Sequence, residues 1–148
     1  MSTPQRTHAR AIHVTVDREI ADVLRVQAKK IYVFNHEFFE DFEDFCPEAQ
    51  HALALRFCDT TALITAVGWE PDPNEPETVE VPLTDDLVEQ LRHRRYDCAF
   101  TNKDRLEGLD VNEPIDPDLL AEITTDRLAA QALYRVITRY QTATTTTA

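Results

Sequence analysis

Glycine is confined to Gly68 and Gly108, and serine occurs once, as Ser2. With no glycine-rich loop to let a backbone approach a phosphate, P-loop and dinucleotide-binding readings fail. Outside the N-terminal residue there is no serine to act as a nucleophile. Lysine is scarce as well. Lys29, Lys30 and Lys103 are the only lysines among 15 basic residues, which face 27 Asp and Glu for a formal net charge of −12. That charge disfavours nucleic acid and membrane surfaces as general partners, because both are polyanionic. A composition low in lysine and high in acid and threonine fits two settings. One is a carboxylate-hydrated protein of a salt-accumulating halophile, the other an ordinary acidic protein. The three cysteines, Cys46, Cys58 and Cys98, are odd in number, widely spaced and not preceded by a signal-like apolar stretch. They predict buried, reduced thiols in a cytoplasmic or virion setting, with no secretory signal peptide. No apolar run reaches transmembrane length without polar interruption; Gln50, His51, Arg56 and Asp59 break the best candidate.

What is present is chiefly helix and core. The 148 residues, 43% hydrophobic, suit one domain. Pro47 to Val67 is apolar on most sides, with Leu53, Phe57, Ile64 and Val67 on one stripe and Leu55, Ala62 and Ala66 opposite, which predicts the central and most buried helix. Pro47 suits its first position, and Gly68 followed by Trp69 reads as a left-handed cap with its hydrophobic contact. Before it, residues 1–10 are a polar arm, and Ala11 to Val16 alternates as a short strand with Ile12, Val14 and Val16 on one face. Asp17 caps a helix to about Ile31, with Ile20, Val23, Leu24 and Ile31 as its stripe. Asn35 then caps a second helix, in which Phe38, Phe39, Phe42 and Phe45 make a burial-rich face opposite a wall of carboxylates.

Residues 70–82 are rich in proline and acid and form an extended crossing connection, with a strand at Thr78 to Val81 that can pair with Ile12 to Val16. Thr84 caps the next helix, with Asp85 and Asp86 at its positive end and Leu83 stapled to Val88. That helix runs through Leu91 and Cys98, allows a break near Asn102, and ends no later than Gly108. A last helix runs from Asp116-Pro117 to about Tyr140, with Leu119, Ile123, Ala130, Leu133, Tyr134, Ile137 and Tyr140 on its core face and Leu128 pointing away. Asp126 falls near that face and needs a partner, for which Arg127 or an arginine of the 92–95 cluster is the obvious choice. The tail 141–148 carries no pattern and is expected to be disordered by itself. The fold expectation is mainly α: residues 11–140 form a single-domain bundle of about five helices with at most a small two-stranded β element.

Several residue sets bear on chemistry. Glu48 and His51 have the Glu-x-x-His spacing of carboxylate-bridged di-iron bundles, but the second pair such a site needs is missing, and Glu89 with His93 is a weaker substitute. Cys46, His51, Cys58, His93 and Cys98 contain enough ligands for zinc without the tight Cys-x-x-Cys knuckle that makes such a reading specific. A metal-binding helical bundle is thus one alternative. Residues 11–30, AIHVTVDREIADVLRVQAKK, supply another, because they resemble the opening of a ribbon-helix-helix repressor. The resemblance implies that two copies of the strand pair and present His13 and Thr15 to the major groove, with Arg6 and Arg10 near phosphates. The chain departs from that pattern at His36-Glu37, where the next helix opens on an acidic face that repels the DNA backbone.

The leading expectation is a non-enzymatic structural or interaction subunit, without cofactor, that binds protein partners: copies of itself and neighbouring subunits. A neck or head-to-tail connector of a tailed virus, in a halophilic host, is its most concrete form. The residues that carry it are two opposite patches able to meet between copies: the acidic wall of Glu37, Glu40, Asp41, Glu43 and Asp44, and the basic cluster of Arg92, Arg94 and Arg95.

Overall fold

The alternation of Ile12, Val14 and Val16 resolves into strand β1 (Ile12–Asp17), and the connection ends in strand β2 (Thr78–Leu83). The computed structural model describes residues 11–147, so the arm expected over 1–10 lies outside the described residues. The two strands pair, as expected of the segments, and do so antiparallel with Ile12 opposite Leu83, Val14 opposite Val81 and Val16 opposite Val79. Val14, Val16, Val81 and Leu83 turn inward, while His13 and Thr15 stay exposed. Four α-helices complete the fold: α1 (Arg18–Glu37), α2 (Pro47–Val67), α3 (Asp85–Glu107) and α4 (Pro117–Thr147), with a 3-10 helix over Phe38–Asp44 between the first two.

The expected fifth helix is absent because α1 does not stop at Ile31. Nothing between Lys29 and Glu37 breaks a helix, and Asn35 is not a cap but a buried residue whose Nδ2 donates to Gln90 Oε1 on α3 at 2.8 Å. The phenylalanine-rich segment then winds at three residues per turn, so its rings no longer share one face. Phe39 packs on Phe57 at 4.4 Å with Phe42 against Phe39 at 5.3 Å, while Phe38 packs edge-on against Phe34 at 5.2 Å. No residue of this segment is buried, and the large burial expected of it is not realised.

The capping signals at Asp17 and Thr84 hold. Asp17 accepts from the Ile20 amide at 2.9 Å, and Thr84 Oγ1 accepts from Leu87 at 3.2 Å while donating to Asp59 on α2 at 2.7 Å. Gly68 ends α2 with the positive φ that glycine allows, +90°, but its ψ of 144° is not that of the expected left-handed cap; its amide closes on Ile64 at 2.7 Å. The core gathers Ile20, Leu24, Ala28 and Ile31 of α1, Leu63, Ile64 and Val67 of α2, both strands, Leu87, Val88 and Leu91 of α3, and Leu133, Val136, Ile137 and Tyr140 of α4.

Several expectations fail here. α1 buries eight residues against six for α2, whose first three turns bury only Leu53, so α2 is not the most buried helix. Cys46 and Cys58 are exposed, and only Cys98 is a buried thiol. On α4 the inward face is Ala129, Ala132, Leu133, Val136, Ile137 and Tyr140, and Tyr134 lies outside it. The helix continues past Tyr140 to Thr147, with Thr142 and Thr144 hydroxyls bonding back to carbonyls one turn earlier. α3 is continuous through Asn102.

α3 and α4 lie antiparallel. The Tyr140 hydroxyl meets the Asp85 carboxylate at one end, and at the other Asn102 Nδ2 donates to the Ile123 carbonyl at 2.8 Å. Asp126 is paired at 2.5 Å by Arg105 of α3, not by Arg127 or the 92–95 cluster. The core stops at Leu91 on α3 and Ala132 on α4. From Arg92 to Glu107 the pair runs on for about 24 Å as a two-helix arm.

Candidate interaction surface

The acidic wall is fully solvated. Glu37, Glu40, Asp41, Glu43 and Asp44 are all exposed, and none forms an ion pair with another described residue. Exposed Phe38 and Phe39 sit among them, each 39% accessible.

The arginine cluster behaves differently, because successive helical positions point 100° apart. Arg92 pairs with Glu89 at 2.8 Å, and Arg94 reaches back to α1, donating through Nε to Gln27 Oε1 at 2.9 Å with Asp97 at 3.4 Å. Arg95 lies over the Tyr134 ring at 4.7 Å, on the side facing α4. The three guanidinium groups therefore fan over three directions. Arg92 and Arg95 share a shallow groove with Tyr96 and Ala99, and Arg95 shares the adjoining one with Ala130, Tyr134 and Arg135. Tyr96 and Phe100 stack at 5.8 Å and stand 65% and 50% exposed. Arginine and tyrosine on a well-packed small-residue floor are the residue types that dominate protein interfaces.

Beyond this groove the arm itself is unusual. Between Ala99 and Leu128 only one residue, Asn102, is buried, and it is polar. Asn102, Arg105 and Asp126 hold the seam between the helices, whereas Phe100, Leu106, Ile115, Leu120 and Leu128 face outward, each at least 44% exposed. Leu109, Leu119 and Ile123 are half-buried beside that seam, so the arm has only a thin inner face and leaves much of its apolar surface in water. Inside the seam Cys98 is held inert: burial first, then the Asp126 carboxylate, push its thiol above the ordinary value.

No family model, curated protein or solved structure matches this chain. The sequence-predicted alternatives must therefore be weighed on geometry. Cys46, His51, Cys58, His93 and Cys98 are not brought together: among the described residues no group of three or more His, Cys, Asp and Glu is placed to hold a metal ion. Glu48 and His51 are exposed on α2. His93 and Arg94 instead border a cleft of about 350 Å³ between α1 and α3, floored by Ile31 and the Asn35–Gln90 pair. β1 is paired within its own chain to β2, and its Thr15 carbonyl accepts from Arg139 at 2.8 Å. The ribbon-helix-helix resemblance therefore rests on the sequence of residues 11–30 alone. No helix among the described residues is long and apolar enough to cross a membrane.

Proposed function

We propose that this chain is a non-enzymatic structural subunit that works by binding protein partners, copies of itself and neighbouring subunits of a larger assembly. The observation that carries this reading is the α3–α4 arm, which exposes aromatic and aliphatic side chains over a length where only Asn102 is buried. Such apolar surface is costly to leave in water and is expected to be covered in the working state. The arginine and tyrosine groove at its base and the solvated acidic wall of residues 37–44 add charge of both signs.

A ring-forming neck or head-to-tail connector subunit of a tailed virus is the most concrete setting for such an object, and the acid-rich, lysine-poor composition suits a halophilic host. Mass in solution by light scattering, alone and with the products of neighbouring genes, tests the subunit reading. A strict monomer under both conditions overturns it. Stability in molar salt tests the halophilic setting, which fails if dilute buffer leaves the protein equally stable.

A further inference from the structure

We infer that two copies of the chain associate through their α3–α4 arms, laid antiparallel so that the tip of each rests on the base of the other. The inference deepens the reading of this protein as a partner-binding subunit and rests on it.

Its first support is the arm's exposed apolar surface, described above: Leu106, Leu120 and Leu128 stand about half exposed, as does Phe100, which stacks only on the equally exposed Tyr96. A second pair of helices completes a four-helix bundle and covers those on the face it meets. The second support is the distribution of charge along the arm, which selects the partner and its direction. From Asp104 to Glu122 there are seven carboxylates against one basic residue, Arg105, and that one is already engaged by Asp126 and Glu122. Over residues 92–97 and 127–135 there are five arginines against one acid, Asp97. The tip is thus strongly negative and the base strongly positive.

Parallel arms would set like charge on like at both ends. Antiparallel arms match both ends at once, and a two-fold axis makes every favourable contact occur twice. Size is compatible too. An arm about 24 Å long and two helices, roughly 20 Å, wide offers a face of about 500 Å² in projection, of the order of the ~800 Å² of accessible surface per partner in a stable interface. At the base, Ala99 and Ala130 form a floor between Tyr96 and Tyr134 low enough for another helix to approach.

The test uses the full chain. The tip variant Asp110→Lys/Glu113→Lys changes residues in the turn between α3 and α4, outside both helices, and the base variant is Arg95→Glu/Arg135→Glu. Each alone is expected to weaken self-association at least tenfold in sedimentation velocity, and an equimolar mixture of the two is expected to restore it. With Cys46 and Cys58 replaced by alanine, Asn112→Cys on one copy should form a disulfide with Gln131→Cys on the other, and not with a second Asn112→Cys. The control Glu40→Lys/Asp41→Lys in the acidic wall should leave association unchanged. Unaltered circular dichroism accompanies each variant. Association that is lost with the wall variant but kept with the tip variant overturns the arm pairing in favour of a head-to-tail contact, while leaving the subunit reading standing. A wild-type chain that stays monomeric at 100 µM overturns the arm pairing outright; whether it then binds a neighbouring subunit decides the broader reading separately.

Discussion

Replacing Arg25 with methionine should be among the most damaging single changes in this protein. The residue is 4% exposed, and its guanidinium joins three segments. It donates to the Val67 and Gly68 carbonyls at the end of α2 at 2.8 and 3.0 Å, to Glu75 Oε1 of the proline-rich connection at 2.6 Å, and to Asp22 one turn earlier at 2.8 Å. Methionine keeps much of the volume, so the loss falls on the polar terms. Two carbonyls at the negative end of α2 lose their donors, and Glu75, with a side chain 12% exposed, retains only the Asp72 amide at 3.3 Å and Arg18 at 3.8 Å. Removing one partner of a buried ion pair costs about 3–5 kcal/mol, and the half-exposed Asp22 adds little to that. With a urea m-value of about 2 kcal/mol/M, a loss of 3 kcal/mol moves the midpoint down by about 1.5 M. Arg25→Lys keeps the charge but cannot fork across two carbonyls and a carboxylate, and should lose about 1–2 kcal/mol. The double variant Arg25→Met/Glu75→Leu should be more stable than Arg25→Met, since no buried charge is then left alone. Urea unfolding followed by far-ultraviolet circular dichroism measures all three. A shift below about 0.5 kcal/mol for Arg25→Met would refute the reasoning.

Two further outcomes follow from local geometry. At Gly68, φ of +90° and a Cβ position 3.3 Å from the Glu70 carbonyl oxygen make Gly68→Ala strained, by about 1–3 kcal/mol, which should lower Tm by roughly 3–8 °C; an unchanged Tm would mean the backbone relaxes there. Burial foremost, then the bond to Asp85, pushes the Tyr140 hydroxyl up to about 12 from its ordinary 10. A folded-state value above the unfolded one means its stabilisation is complete below pH 10 and is lost as pH rises toward 12, by an amount of order 2–3 kcal/mol. Tyr140→Phe should flatten that part of the urea-midpoint profile, and an equal slope in the phenylalanine variant would assign it to other groups.

Much of the fold was readable because its signals are local. Asp17, Thr84 and Gly68 act on backbone groups within four residues, and the two strand alternations need only a partner of the same period. What escaped depends on distant contacts. Asn35 has the chemistry of a cap, but Gln90 on α3 takes its side chain and α1 runs through it. The apolar length of α2 suggested a central position, yet much of it is alanine, and Ala49, Ala52 and Ala54 face solvent. Around Tyr134 nearly every position of α4 is apolar, so periodicity could not choose the inward face; the Arg95 ring contact draws Tyr134 outward. The acidic wall and the arginine cluster were visible as runs of charge. The arm that gives the cluster its setting was legible only in part: the polarity from Asp104 to Glu122 stands in the sequence, but the joining of Asn102, Arg105 and Asp126 in one seam depends on how two helices meet.

The pairing of β1 with β2 has a consequence for how the protein is made. Asp17 cannot meet Thr78, nor Ile12 meet Leu83, until α1, the 3-10 helix, α2 and the connection have all been synthesised. At about 5–20 residues per second, β1 waits roughly 3–13 s on the ribosome for the rest of its sheet. During that interval Val14 and Val16, both buried in the finished protein, have no partner strand, while α1 can already form from its capping aspartate onward. The α3–α4 arm emerges last and is stitched by contacts between helices that are neighbours in sequence, so it can close quickly. Synthesis thus makes the proposed contact surface only after the sheet has its second strand. A nascent chain halted before Leu83 would keep an open strand and no arm at all.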